Sequence, residues 1–185
     1  MSKAPSVQRY DLITQLFHWS VVVLMVGLLV TDSLREGAPK PSDIRTEWLN
    51  LHMSLGILLF FVVIARLGWS RRVGKPDPVP GALWTQVAAK VVHVALNLAT
   101  LLVPVFGFLR VASKGRSADF FGIAIASPLG EMPWLNDLMH IFHGEPMELF
   151  FYTVIGLHVA AAIWHQYFLR DRTLERMLPW ARNAA

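Results

Sequence analysis

The chain has 185 residues, of which 54% are hydrophobic, and a formal net charge of +4. Its mean hydropathy of +0.44 is too high for an ordinary soluble protein, so we expect one integral membrane domain over residues 1–185. Cysteine is absent, which excludes disulfides, iron–sulfur clusters, thiolate chemistry and the CxxCH attachment of a c-type haem. Any redox cofactor must therefore be held noncovalently by other side chains.

Four apolar stretches are long enough to cross a bilayer as helices, which takes about 20 residues. The first lacks the small-residue cleavage site of a signal peptide, so we expect it to remain in the mature protein. The first two connections are short and rich in Pro and Gly, which makes neighbouring spans antiparallel. The sequence therefore predicts an all-α membrane protein, an up-down-up-down four-helix transmembrane bundle, with spans at Leu12–Leu34, Trp48–Trp69, Trp84–Val111 and Met147–Leu169.

The third connection, roughly residues 112–146, is much longer than the other two. Its segment DFFGIAIASPLGEMPWLNDLMHIF is apolar enough to lie against the outer membrane surface. Tryptophans at or near the span ends are typical of an interfacial aromatic belt. These are Trp19, Trp48, Trp69, Trp84 and Trp164.

The distribution of charge predicts how the bundle is oriented. Apart from Lys90 of the third span, the side that carries both termini has ten basic residues and four carboxylates, whereas the opposite side has six basic residues and nine carboxylates. The positive-inside rule then places both termini in the cytoplasm. The high isoelectric point follows from this topology, and no nucleic-acid motif accompanies it. The ten are Lys3, Arg9, Arg66, Arg71, Arg72, Lys75, Arg170, Arg172, Arg176 and Arg182.

Seven histidines are the most informative residues of the chain, because ionisable side chains in spans usually face the bundle interior and mark function. His143 and His158 are 15 residues apart, which on one helix is about 22 Å along the axis with an angular offset of about 60°. His52 lies near the outer start of the second span, at the level of His143. His18 and His93 both reach the level of His158, and the spacing does not choose between them.

Imidazoles that project in pairs into the core of a bundle are typical of haem iron ligation. Zinc would require three or four ligands at one depth. Small residues near the histidines leave room for a flat macrocycle, although close helix packing explains them equally well. They are Gly56, Gly107, Gly156, Ala160, Ala161 and Ala162.

The chain resembles the prokaryotic cytochrome b561 family over nearly its whole length. The resemblance rests on RYDLITQLFHW around His18, LNLHMSLGI with His52, HVALNLATLLVPVFG from His93, and FHGE followed by GLHVAAAIWHQYFLRDRTLERMLP. It implies four spans and two noncovalent haem b groups in a bacterial inner membrane. His18 and His158 would be the axial ligands of the inner haem iron, and His52 and His143 those of the outer one.

The resemblance also implies an activity. Members of the family pass electrons between a donor at the outer surface and the quinone pool, and some are superoxide:quinone oxidoreductases. This chain would oxidise a periplasmic donor, superoxide above all, and reduce ubiquinone near the cytoplasmic side. His165 and His93 are the candidates for the quinone site, where either could bond a carbonyl oxygen or deliver a proton. Ordinary interhelical hydrogen bonds are the alternative for both.

Several other residues receive narrower expectations. Basic residues on the outer side could steer an anion toward the outer haem, and His140 is expected to be a surface residue of the long connection. Gln166 stands where some members of the family carry a second, adjacent histidine. The residues expected to steer an anion are Arg35, Lys40, Arg45, Lys114 and Arg116.

Two other functions stay open from the sequence. The chain could be a haem b electron-transfer subunit that anchors a larger respiratory or hydrogenase complex, against which its short termini count mildly. It could also be a transporter whose histidines line a pathway, but pathway histidines should follow one continuous face instead of forming pairs. No HExxH, GxSxG or glycine-rich phosphate loop is present, so hydrolase chemistry has no support.

Overall fold

The computed structural model describes residues 8–180, so Lys3 and Arg182 of the charge count lie outside the described residues. Four helical segments within 8–180 are long and apolar enough to cross a membrane, which confirms the predicted fold class. The first three are α1 (Leu12–Gly37), α2 (Asp43–Val73) and α3 (Leu83–Ala112). The fourth crossing consists of α5 (Glu145–Trp164), which continues directly into a five-residue π-helix, His165–Leu169.

Short polar side chains begin the first two helices. Asp11 accepts a hydrogen bond from the Thr14 amide at 3.1 Å, and Ser42 accepts one from the Arg45 amide at 3.3 Å. Such caps satisfy amide groups that have no partner within the helix. Helix α1 therefore begins at the predicted Leu12, whereas α2 begins at Asp43, five residues before the predicted Trp48.

The start of α1, the α2–α3 loop and the C-terminal segment meet at one end of the bundle, which we call the terminal end. The Tyr10 amide donates to the Arg176 carbonyl at 3.2 Å, and the Trp19 indole donates to the Met177 carbonyl at 2.8 Å. The Arg176 guanidinium in turn donates to the Asp77 carbonyl at 2.7 Å. These bonds, together with the short connections, give the up-down-up-down order.

The opposite end, which we call the hairpin end, contains an antiparallel β-hairpin of β1 (Ala118–Phe120) and β2 (Ile123–Ile125). The hairpin packs on α2 through Ser54, whose side chain is almost completely buried. The Ser54 hydroxyl donates to the Asn50 carbonyl at 2.8 Å and accepts from the Phe121 amide at 2.9 Å. The long connection is therefore a folded unit, which its apolar composition did not predict.

Helix α4 (Pro133–Phe142) follows the hairpin and carries an exposed apolar stripe. Trp134, Leu138 and Ile141 are exposed along it, while Met139 is buried against the rest of the chain. Such a two-sided helix at the end of a bundle is suited to the membrane interface.

The structure corrects one assumption of the sequence analysis, namely that His143 and His158 stand on a single helix. His143 and Gly144 both have non-helical backbones between α4 and α5, and that of Gly144 is extended. A Cβ atom on Gly144 would lie 2.5 Å from the His140 carbonyl oxygen, closer than real contacts allow. The chain thus turns tightly here, and the helical estimate of depth and angle does not apply to His143.

Helix α1 packs along α2 and α2 along α3, whereas α5 contacts mainly α3 and α4. The buried core is small and includes Val21, Met25, Leu59 and Val63. Many other apolar side chains are exposed, as expected for a surface that faces lipid. Two pairs of histidines lie between α1 or α2 on one side and α5 or the residues that lead into it on the other.

Candidate functional site

The hairpin-end pair consists of His52 on α2 and His143 in the turn before α5. Their ring centroids lie 6.1 Å apart and the ring planes are inclined by 76°. Neither residue is fully exposed. Sequence reasoning paired these two residues, and the structure brings them together, although through a turn instead of a continuous helix.

Hydrogen bonds define the protonation of both rings of this pair. His52 Nδ1 lies 3.1 Å from the Leu28 carbonyl oxygen, and His143 Nδ1 lies 2.9 Å from the Val103 carbonyl oxygen. A carbonyl oxygen can only accept, so each Nδ1 carries the proton. In a neutral imidazole this leaves the lone pair on Nε2, which is the form that binds a metal.

The terminal-end pair consists of His18 on α1 and His158 on α5, whose ring centroids are 6.3 Å apart. His93 on α3 lies even closer to His158, at 5.3 Å. The Nδ1 atom of His18 is buried and has no hydrogen-bond partner within residues 8–180. A buried polar atom without a partner is costly, so this nitrogen is suited to a ligand.

The two distances near 6 Å fit one metal ion held between two imidazoles. A histidine–metal bond is about 2 Å long and a ring nitrogen lies about 1 Å from its centroid, so ligands on opposite sides of one metal have centroids about 6 Å apart. The separation of His93 and His158 is shorter than this. The structure therefore favours His18 over His93 as the partner of His158, a choice that helical spacing left open.

The two pairs lie at different levels of the bundle. Thr31, which contacts His52, is thirteen residues beyond His18 in α1, or about 20 Å along the helix axis. Within residues 8–180 no group of three or more His, Cys, Asp or Glu side chains could hold a metal ion. Two nitrogen donors per level, in an apolar setting, fit the axial ligation of haem iron.

Among the small residues singled out in the sequence, Gly107 has a specific contact. A Cβ atom at this position of α3 would lie 2.6 Å from Cε1 and 2.9 Å from Nε2 of His143. By contrast, a Cβ atom on Gly156 would meet nothing within 4 Å, and one on Gly56 would make only an ordinary contact with Leu28. Gly107 thus lets the His143 ring lie directly against α3.

We expect Gly107→Ala to displace the His143 ring and to weaken any metal ligation at the hairpin-end pair at least tenfold, because the backbone of α3 cannot move away as a side chain could. Haem content per chain and the visible spectrum measure this. Gly68→Ala is the matched control, since its Cβ atom would meet nothing within 4 Å. Equal haem content in the two variants would refute the proposed role of Gly107.

His165 lies at the terminal end, at the start of the π-helix, and its Nδ1 bonds the Asp171 carboxylate. The other oxygen of Asp171 accepts from the Thr173 amide at 3.0 Å and from the Thr173 hydroxyl at 2.6 Å. Partial burial by itself would raise the pKa of Asp171, but the hydrogen bonds from Thr173 and His165 outweigh it and lower the pKa. The carboxylate is therefore ionised near neutral pH and leaves His165 Nε2 for another partner.

Gln166 lies beside His165 and has a half-satisfied amide. Its Nε2 donates to Glu175 at 3.0 Å, whereas its Oε1 is buried without a partner among residues 8–180. Within residues 8–180, no hydrogen bond or ring contact joins His165 to His93. The structure thus places His93 against the terminal-end pair and gives His165 a separate environment.

The basic residues of the hairpin end differ in their contacts. Arg35 pairs with Asp32 at 2.6 Å within α1, whereas Arg45 bonds the Arg35 carbonyl and thereby holds the α1–α2 turn. Burial and the nearby Arg110 and Arg116 guanidinium groups lower the pKa of Lys114. His140 and Lys40 are exposed, as expected for His140.

Sequence reasoning missed the partners of the histidines. The Leu28 and Val103 carbonyls and the Thr31 hydroxyl belong to other helices, so no spacing reveals them. Asp171 follows His165 by six residues, but only the widened π-helical turn and the reversal after it bring the two side chains together.

Known proteins are similar in sequence to this chain over most of its length. The family model described as prokaryotic cytochrome b561 matches residues 9–180. The chain is 28% identical to cytochrome b561 homolog 1 of Escherichia coli K12 over 90% of this chain and 95% of that protein. It is also 28% identical to the probable superoxide oxidase CybB of Yersinia pestis, over 95% and 99%, and to cytochrome b561 homolog 2 of Escherichia coli K12, over 96% and 95%.

Proposed function

Because the chain belongs to the prokaryotic cytochrome b561 family, we propose that it is a di-haem b oxidoreductase that passes electrons from periplasmic superoxide to ubiquinone. The family makes it a bacterial multi-pass membrane protein that transfers electrons through haem b. The likeness to a probable superoxide oxidase supports the choice of donor. Beyond the family itself, we propose the number of haem groups, the electron donor and the electron acceptor.

The observation that carries the proposal is the presence of two imidazole pairs, 6.1 and 6.3 Å between centroids, at different levels of one bundle. His52 and His143 would hold one haem and His18 and His158 the other. Haem iron, when bound, accepts and releases one electron at a time. Two such sites along the bundle would connect the two membrane surfaces.

The orientation follows from charge. The terminal end contains Arg66, Arg71, Arg72 and Lys75 near the end of α2 and further basic residues after the π-helix. We therefore assign the terminal end to the cytoplasm and the hairpin end to the periplasm, by the positive-inside rule. The His52–His143 pair is then the outer one.

The overall reaction balances as follows. Two superoxide anions are oxidised to two molecules of O₂ and supply two electrons, and ubiquinone takes up these electrons with two protons to become ubiquinol. At the outer end, Lys114 and Arg116 raise the local concentration of the anion. At the inner end, the protein must bind the quinone and deliver protons.

Two candidate sites at the terminal end could bind the quinone and deliver protons, one at His165 and Gln166 and the other at His93. His165 Nε2 can hydrogen-bond a quinone oxygen and pass a proton to it, while the Asp171 carboxylate holds the ring in place through Nδ1. The buried Gln166 Oε1 can accept a hydrogen bond from a quinol hydroxyl. His93, in ring contact with His158, is the second candidate and would bring the quinone next to an axial ligand.

We expect Lys114→Ala to slow the reduction of the protein by superoxide about two- to fivefold at low ionic strength and hardly at all in high salt, because charge steering is screened by salt. Stopped-flow measurement of haem reduction against salt concentration checks this. Lys75→Ala removes the same charge at the terminal end and should leave the rate unchanged. A salt-independent loss, or an equal loss in both variants, would argue against steering at Lys114.

One experiment separates the proposed function from the alternative of a membrane-anchoring electron-transfer subunit. The purified oxidised protein is mixed rapidly with superoxide, and haem reduction and reduction of a short-chain ubiquinone analogue are followed together. The proposal requires both reactions, with two superoxide ions consumed per quinone. A protein that binds haem but accepts no electrons from superoxide would support the subunit role instead.

A further inference from the structure

Thr31 is a buried polar residue of α1 that lies next to His52. Its side chain is 3% exposed. Its Oγ1 atom lies 3.2 Å from His52 Nδ1, 2.8 Å from the Gly27 carbonyl oxygen and 3.0 Å from the Leu28 carbonyl oxygen. The hydroxyl therefore stands between its own helix and a proposed haem ligand.

The direction of these hydrogen bonds can be worked out from the groups involved. The Gly27 and Leu28 carbonyls can only accept, so the single Thr31 proton points to one of them and Oγ1 retains lone pairs. His52 Nδ1 carries a proton because it also bonds the Leu28 carbonyl, at 3.1 Å. The contact between Oγ1 and Nδ1 is therefore one in which the imidazole donates and the hydroxyl accepts.

We infer that Thr31 Oγ1 is a second acceptor for the His52 Nδ1 proton and that it thereby lowers the midpoint potential of the haem held by His52 and His143. The inference rests on the proposed function, since it requires a haem at the hairpin-end pair. Hydrogen bonds accepted from the outer nitrogen of a ligating histidine make the metal-bound nitrogen more electron-rich. An electron-rich axial ligand stabilises the oxidised iron more than the reduced iron.

The terminal-end pair provides a reference within the same molecule. Thr31 is thirteen residues beyond His18 in α1, which places it about 20 Å from the level of His18 along the helix axis. Removal of the Thr31 hydroxyl should therefore change one potential and leave the other in place.

The test is an optical redox titration of purified haem-loaded Thr31→Val. Valine keeps the shape of the side chain and leaves the bond from His52 to Leu28 intact. We expect the hairpin-end midpoint to rise, so that at the wild-type midpoint the ratio of reduced to oxidised haem increases about three- to tenfold, the effect of one hydrogen bond. Thr31→Ser restores the acceptor and should restore the potential.

Thr100→Val is the matched control. Thr100 is a second buried threonine whose hydroxyl donates to a carbonyl of its own helix, Leu96, at 2.7 Å. Its hydroxyl makes no contact with an imidazole among residues 8–180. This variant should leave both potentials unchanged, which separates the loss of a buried hydroxyl in general from the loss of this acceptor.

Repeating the Thr31 titrations in a His158→Ala background, in which only the hairpin-end haem is expected to remain, assigns the shifted potential to its site. Two normal haem groups with the same hairpin-end midpoint in Thr31→Val and the wild type would overturn the inference about Thr31. Equal shifts in Thr31→Val and Thr100→Val, or in both haem groups, would overturn it too. Absence of haem from the wild-type protein would instead refute the proposed function itself.

Discussion

His143→Ala is expected to purify with one haem per chain, where we expect two for the wild-type protein. His143 and His52 face each other with the centroid separation of two ligands on one metal, and removal of either imidazole would leave a bound iron with a single axial nitrogen. The loss should be confined to the hairpin end, because the terminal-end pair shares no residue with it. The ratio of haem to protein and the reduced-minus-oxidised spectrum measure the result.

The complementary variants complete this prediction. His18→Ala and His158→Ala should each lose the other haem, while His93→Ala should retain both, because its 5.3 Å distance from His158 does not fit ligands on opposite sides of one iron. His140→Ala is the control for removal of an exposed histidine. Equal loss of both haem groups in the three ligand variants His143→Ala, His18→Ala and His158→Ala, or no loss in any of them, would contradict the pairing.

His165→Ala is expected to retain both haem groups and their reduction by superoxide, but to lower the rate of ubiquinone reduction at least tenfold. The reason is that a positioned acid contributes on the order of a hundredfold or more to a proton transfer, and the His165 imidazole is the group that Asp171 holds in place at the terminal end. Single-turnover kinetics with a ubiquinone analogue separate the step at the quinone from the earlier electron transfers.

Asp171→Asn should give a smaller loss in the same step. The amide of asparagine is neutral and holds the ring less strongly than a carboxylate, but it can still accept a bond from Nδ1. Arg172→Ala, which removes the neighbouring pair with Glu175, controls for general disturbance of the C-terminal segment. Quinone reduction at the wild-type rate in His165→Ala would remove this residue from the site and leave His93 as the remaining candidate.

Much of the architecture could be predicted from the sequence, because the features concerned act along the chain. Hydropathy over about 20 residues locates a span wherever it stands in the fold. The structure accordingly confirms four crossings, and its α1 begins at the predicted Leu12. The start of the second span was less accurate, because Ser42 caps a helix that begins five residues before the apolar stretch.

The long connection and the His143 turn show where this reasoning stops. The apolar composition of the long connection predicted that it lies against the membrane surface. The hairpin within it, however, depends on Ser54, a residue more than sixty positions earlier in the chain. Likewise, His143 was placed by counting along one helix, whereas the turn at Gly144 separates it from α5. The pair with His52 nevertheless forms, because the turn brings the ring against Gly107 on α3.

By itself, the sequence determined which residues are apolar enough to enter the membrane and that His18, His93 and His158 lie near one depth, because helical rise is a property of each segment alone. Only the tertiary structure decided which imidazoles face each other, which ring nitrogen carries the proton, and which groups hold it there. Those features depend on how each helix is rotated about its axis and how closely it approaches its neighbours. Rotation and approach are set by side-chain packing between segments distant in the chain.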